Sequence, residues 1–399
     1  MLITYILIRI ITFPLALLPY KALHFLGKRL GSLAYYLIPK FRKRALSNLA
    51  LAKDLNLSNA EIRQVAKRSF QSALITCLEY PKIAREKHLS KIVTAVNPEK
   101  AHEIINQGKA VIFFCGHQAN WELLFLEGTT HMPGVAIGRP IKNKYLYDWI
   151  LQIRQKFGGK IVPPKNGIKE GLRALKNGAF FGIVGDQGMP GSGYSSSFLG
   201  RLAWTSPLPA LLAYKTNRPI IVATTTRRDG HYYIHYSEPL YPNNKEPKEQ
   251  EIKRLMDAVL DIYEQSIKKN PHEWLWIHNR WKQQTRDEIN SPYRHDSLAI
   301  ILPEDQELAE KASLFRELYP REHITLFLPK SLLKHTQLDA ELIPYTHINE
   351  VFRDDLRFKL IFNFTKNSRI EAHYKKKSAL ATYHFDAIDT SLKKKVKGA

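Results

Sequence analysis

An α/β fold, with a central mixed sheet under helical cover and a small Rossmann-like α/β C-terminal unit, is what this 399-residue sequence predicts. Short apolar runs alternate with amphipathic ones between residues 110 and 186, the order that builds a sheet covered by helices. The alternation resumes after residue 297, which predicts the second unit. An apolar stretch followed by a basic one at the start predicts a membrane-anchoring helix ahead of both.

The N-terminal run "LITYILIRIITFPLALLPY" carries Arg9 as its only charge, and Pro14 and Pro19 interrupt it. Its 19 residues are close to the minimum for crossing a bilayer, so it fits a spanning helix or one lying in the interface. Lys21, Lys28, Arg29, Lys40, Arg42, Lys43 and Arg44 follow among Leu, Tyr and Phe, the composition of an interfacial basic segment. No basic residue precedes the apolar run and no small-x-small site closes it, which disfavours a cleaved signal peptide. The basic flank then places the rest of the chain on the cytoplasmic side. We take residues 1–45 as anchor and interfacial segment.

Residues 58 to 107 read as helices, opened by a capping-box pattern from Ser58 to Glu61. "AVIFFC", "GVAIGRP", "KIVPP" and "AFFGIVGD" read as strands with helices between them, and "PIIVATTTRRDG" and "HYYIHYSEPL" as a strand pair. "KEQEIKRLMDAVLDIYEQSIKKN" is a long amphipathic helix. The polar, aperiodic "QTRDEINSPYRHDS" marks a boundary, giving a main domain over 46–285 and a C-terminal unit over 298–399. "SLAIILP", "HITLFLP", "AELIPY" and "FKLIFNF" supply its strands. It lacks G-x-G-x-x-G and Walker A patterns, so nothing marks a nucleotide site.

Composition narrows the partners. Sixty Lys plus Arg against 37 Asp plus Glu give a formal charge of +23, suited to an anionic membrane, nucleic acid or an acidic carrier protein. No nucleic-acid module accompanies the charge, and the N-terminal pattern favours the membrane. Two cysteines, Cys77 and Cys115, argue against a disulfide framework, and no Cys/His spacing suggests zinc.

The chemistry concentrates at "VIFFCGHQANWELL". An apolar strand ends on Gly116 and His117, with Glu122 five residues on. Inside one regular helix that separation would set the two about 140° apart, so His117 must sit in the turn and Glu122 in the first turn of the next helix. Glu122 then orients the imidazole, whose other nitrogen takes a proton from a hydroxyl. Arg139 after the next strand, and Asp186 and Gln187 after a later one, bring further polar residues to the same sheet edge. Ser192 and Ser195 to Ser197 lie in a Gly-rich loop without G-x-S-x-G, which weighs against a serine nucleophile. H-E-x-x-H is absent, so no metal is expected.

"GHQANWELL", with its H-x4-E, resembles the signature of the lysophospholipid acyltransferase superfamily. The blocks "IGRPIKNKYLYDWI", "GDQGMPGSGYSSSFLGRLAWTSPLPALLAYKTNRPII" and "NPHEWLWIHNRWK" are similar to its bacterial lipid A late acyltransferase branch, over roughly residues 1 to 285. The resemblance implies an inner-membrane acyltransferase domain that moves a fatty acyl chain from acyl carrier protein to a hydroxyl of a lipid A precursor, without a cofactor. It implies His117 as general base oriented by Glu122, Arg139 or backbone amides as oxyanion donor, Arg154 as a second such candidate or a phosphate ligand, and Asp186 with Gln187 shaping the pocket. Trp204, Trp274 and Trp276 read as structural aromatics. Acyl-CoA-dependent acylation of another glycolipid or a lysophospholipid, and an inactive membrane-bound scaffold, are the competing readings.

Overall fold

A computed structural model describes residues 1–189, 191, 194–282 and 288–397. Part of the polar boundary segment and part of the Gly-rich loop, with Ser192, lie outside the described residues. In chain order the strands are β1 (Val93–Val96), β2 (Ile112–Cys115), β3 (Gly134–Ile137), β4 (Lys160–Val162), β5 (Phe180–Val184), β6 (Ser195–Phe198), β7 (Arg201–Trp204), β8 (Ile220–Arg228), β9 (His231–Tyr236), β10 (Ser297–Ile301), β11 (His323–Pro329), β12 (Glu341–Tyr345), β13 (Leu360–Asn363) and β14 (Ala381–His384).

The chain divides into two compact units, and neither is a continuous stretch. The first comprises Met1–Leu37, Lys67–Gln187 and Thr205–Leu275; the second comprises Ile38–Ala66, Gly188–Trp204 and Trp276–Ala399. These units run differently from the boundaries expected after residues 45 and 285. The physical reason is a buried charge cluster in the second unit. The Lys359 ammonium, 2% exposed, donates to both carboxylate oxygens of Asp296 (2.7 and 2.9 Å) and to Asn48 Oδ1 (2.7 Å), and Arg201 pairs with Asp296 at 3.0 Å. The helix Pro39–Leu51 and strand β7 therefore belong to the unit that holds β10 and β13.

In the first unit a seven-stranded sheet runs in the order β1-β9-β8-β2-β5-β3-β4, parallel except for the antiparallel β8–β9 pair. This is the mixed sheet expected. β1 departs from the all-helical reading of 58–107; four residues at a sheet edge are too few to show alternation in sequence. The capping box at Ser58 forms, with the Ser58 N–H and hydroxyl both donating to Glu61.

The N-terminal apolar run breaks at Pro14 into the helix Leu2–Thr12 and a short 3-10 turn before the helix Tyr20–Leu37. Among the described residues no helix is long and apolar enough to cross a membrane. At about 1.5 Å per residue the first helix reaches roughly half the thickness of a hydrocarbon core. It packs instead on the helix Lys144–Arg154, with Tyr5 stacked on Tyr145 and Arg9 over Trp149 at 4.6 Å. Its outward side chains, Ile3, Leu7, Ile10 and Ile11 among them, are exposed, as are Phe25, Leu30 and Leu33 further on.

The second unit holds a parallel five-stranded sheet in the order β12-β11-β10-β13-β14. Every residue of β10 is buried, Leu298 and Ile300 on one face and Ala299 and Ile301 on the other, as a strand covered on both sides requires. The serine stretch 195–197, read as loop, forms a hairpin of β6 with β7. Leu199 and Gly200 both have positive φ (53° and 75°) in its two-residue turn, the conformation such hairpins need.

Candidate active site

β2 lies between β8 and β5, and Ile112 and Phe114 are fully buried. A central parallel strand admits no polar side chain, so the chemistry begins where it ends. Gly116 takes the chain out of the sheet. A Cβ there would lie 2.0 Å from the Tyr263 hydroxyl oxygen and 2.7 Å from Asp186 Oδ2, so no larger residue fits without displacing the site. His117 follows in a tight turn closed by a hydrogen bond from the Gln118 N–H to the Gly116 carbonyl (2.8 Å). Ala119 adopts φ 46°, costly for alanine, and is held there from two sides. Its N–H donates to the Glu273 carbonyl and its own carbonyl accepts from the Thr76 hydroxyl, each at 2.9 Å. The next helix, Glu122–His131, starts as the spacing requires, with His117 in the turn and Glu122 in the first helical turn.

β5 ends in the same way. Its register pairs Cys115 with Val184, so two steps on His117 comes level with Asp186. The Asp186 carboxylate is fully buried: Oδ1 accepts from His117 Nδ1 at 2.7 Å, and Oδ2 accepts from the His117 backbone N–H and from Trp274 Nε1, both at 2.8 Å. The Tyr263 hydroxyl lies 3.4 Å from the same oxygen. With Nδ1–H committed to Asp186, Nε2 carries the lone pair, and the side chain keeps 16% of its surface open. Burial works against protonation of this imidazole, but the charge and hydrogen bond of Asp186, with the charge of Glu122, outweigh it and raise its pKa above the usual 6.5.

Glu122 occupies the expected position but not the expected role as the imidazole's hydrogen-bond partner. Its carboxylate takes a two-pronged grip from Arg154, Nε to Oε2 at 2.8 Å and Nη2 to Oε1 at 2.6 Å. The planar guanidinium matches a carboxylate better than a single imidazole N–H does, and Asp186 already fills the place at Nδ1. Glu122 thus acts on His117 through its charge. Arg154 in turn spends Nε and Nη2 on Glu122, and Nη2 also lies 3.4 Å from the Tyr80 hydroxyl, so this guanidinium is not the open oxyanion donor envisaged. Arg139 is exposed just after β3 and has no hydrogen bond or ion pair among the described residues. Gln187 is exposed, its amide nitrogen 3.4 Å from His117 Nε2. Cys115 beside the site is buried, and desolvation followed by the charge of Asp186 pushes its thiol well up, which leaves it a poor nucleophile.

Trp274, read as structural, is a direct ligand of Asp186, and the antiparallel bridge between Gln118 and Trp274 holds it against the His117 turn. Tyr263, on the helix Lys248–Lys269, had no distinguishing signal in the sequence. The His–Asp pair did have one: "CGH" and "VGD" close two apolar strands in the same apolar-Gly-polar pattern.

A buried carboxylate holding an imidazole, with no serine or cysteine hydrogen-bonded to its second nitrogen among the described residues, is the apparatus of general-base transfer to an external hydroxyl. The family model for the bacterial lipid A biosynthesis acyltransferases matches residues 1–283. The chain belongs to that family, whose chemistry is acyl transfer in lipid A biosynthesis. It is 24% identical over 277 residues to a lipid A biosynthesis palmitoleoyltransferase of Escherichia coli K12, an alignment covering 66% of this chain and 86% of the relative. It is 29% identical over 171 residues to a lipid A biosynthesis acyltransferase of Haemophilus influenzae, covering 41% and 52%. Residues 284–399 lie beyond the family match.

Proposed function

We propose that this protein transfers a fatty acyl chain from acyl carrier protein to a hydroxyl of a lipid A precursor at the cytoplasmic face of the inner membrane. The observation that carries the reading is the bond from His117 Nδ1 to buried Asp186, which leaves Nε2 as the base. His117 takes the proton of the acceptor hydroxyl as its oxygen attacks the thioester carbonyl carbon. The tetrahedral intermediate collapses with cleavage of the carbon–sulfur bond, and the imidazolium returns the proton to the departing thiolate. The oxyanion needs a donor, worth about 3 kcal/mol in the transition state. Gln187, next to Nε2, and the unpaired Arg139 are the side chains for that role. The charge of +23 suits an acidic carrier and a phosphorylated lipid, and the exposed apolar residues of the N-terminal helices suit a bilayer surface.

The test is mass spectrometry of a lipid A precursor incubated with acyl carrier protein thioesters and the protein, wild type beside His117→Ala. A gain of one acyl chain with the wild type alone supports the reading, and its mass identifies the chain. A gain only with acyl-CoA, or only on another lipid, replaces the donor or the acceptor. No transfer under any of these conditions leaves the inactive scaffold.

A further inference from the structure

The first unit contains a cavity of about 520 Å³ whose lining includes none of His117, Glu122, Arg154, Asp186 and Gln187. The helix Tyr20–Leu37 contributes Lys21 and Lys28, the helix Asn59–Ile83 contributes Arg68, and the end of β8 contributes Arg227 and Arg228. Against these five cations stand two carboxylates. Asp229 is 3.9 Å from Arg228, and Glu273 is the other. Among the described residues Lys21, Lys28, Arg68 and Arg227 pair with no carboxylate. Arg68 instead contacts His272 Nε2 at 2.9 Å, and Arg227 bonds to the Tyr232 hydroxyl, to Ser72 and to Thr76.

Two buried titratable groups line the same cavity. Burial, then the charges of the neighbouring Arg68 and Arg227, hold the His272 imidazole down to about 4. Burial also pushes the Glu273 carboxyl up to about 7; its Oε1 accepts from the Arg227 backbone N–H at 2.9 Å, and its Oε2 is buried with no hydrogen-bond partner among the described residues. A protonated Glu273 has a proton to donate to an anionic oxygen, which an ionised one would repel. At the rim Phe25 is 61% exposed, on the helix whose Leu30 and Leu33 are also bare. Cationic groups and a carboxyl inside, with exposed Phe25 in the lining, fit a phosphate ester carried on a hydrophobic body.

We propose that this cavity binds the phosphate of an anionic lipid headgroup, separately from the His117 site. Arg68 and Lys28 carry most of the recognition that can be removed without disturbing the interior, since Arg227 is tied into the packing.

The experiment is vesicle flotation of the full-length protein, comparing phosphatidylcholine vesicles with and without phosphatidylglycerol. Lys28→Glu/Arg68→Glu is set beside Lys176→Glu/Lys215→Glu, which makes the same change in net charge elsewhere in the unit, and thermal unfolding checks that both fold. The expected result is a loss of about tenfold or more in apparent affinity for anionic vesicles in the first pair, with the control pair within about threefold of wild type. Inorganic phosphate should shift the His272 ring resonance in nitrogen NMR, by bringing negative charge beside Arg68 and Arg227. Equal binding by the two pairs overturns the proposal. A His272 shift with phosphate but unchanged vesicle binding makes the site one for soluble phosphate, which also overturns the headgroup assignment. None of these readouts depends on acyl transfer.

Discussion

Replacing Asp186 by asparagine removes one charge and almost no volume, and the structure dictates where the new amide must point. Oδ2 receives two N–H donors that cannot reverse, the His117 backbone and Trp274 Nε1. The amide oxygen must take that side, so its NH2 group faces His117 Nδ1. The imidazole then has to accept at Nδ1 and carry its proton on Nε2, the nitrogen that should be the base. A wrong tautomer of this kind costs on the order of 10⁴ in kcat in the serine protease triad, and we expect a similar loss here. That is about 5.4 kcal/mol at 1.36 kcal/mol per decade. The assay is kcat with acyl carrier protein thioester and a lipid A precursor, measured across pH. A base works when neutral, so the rate falls as pH drops through its pKa. Asp186 raises that pKa, and the acid limb of the residual activity should therefore move to lower pH in the variant. Activity within tenfold of wild type, on an unmoved limb, would refute the assignment of Asp186 as the residue that positions the base.

Glu122→Gln should lower activity far less than Asp186→Asn, while costing about 2 kcal/mol in urea unfolding because Arg154 is left half-buried without its counter-charge; equal losses of activity would return the orienting role to Glu122. Gly116→Ala should cost about 3 kcal/mol and most of the activity, since its methyl group meets Tyr263 and Asp186; near-normal unfolding would show that the turn can shift. Lys359→Met should destabilise the second unit by about 3 kcal/mol, read by denaturant unfolding, because Asp296 keeps only Arg201; an unchanged midpoint would mean the cluster contributes little. Raising ionic strength should raise KM for the acyl donor more than it lowers kcat, and a salt-independent KM would remove electrostatic steering from the account.

Much of the fold was legible because the central strands are continuous apolar runs closed by glycine and polar residues, a signal that needs no partner to be read. β2, β3 and β5 follow it, while β8 and β9 were read as a strand pair. β1 and β14 were not legible: each is four residues long and pairs at a sheet edge, where burial imposes no pattern. The site was half legible. His117 and Glu122 announce themselves by spacing along one segment, and Asp186 by its place at a strand end. Which carboxylate meets the imidazole depends on strand order, which no local pattern encodes.

The sequence alone determined that an α/β sheet would present His117 at its carboxyl edge and Glu122 at a helix start, because both follow from local apolar patterning and backbone geometry. Only the tertiary structure decided the partners. Setting β5 beside β2 brings Asp186, 69 residues away, level with His117. The helix Lys144–Arg154 carries the guanidinium that draws Glu122 aside, and Trp274 and Tyr263 arrive from the far end of the unit. Hydrogen bonds act over about 3 Å of space whatever the separation in chain, so their pairing is settled only when the sheet is assembled.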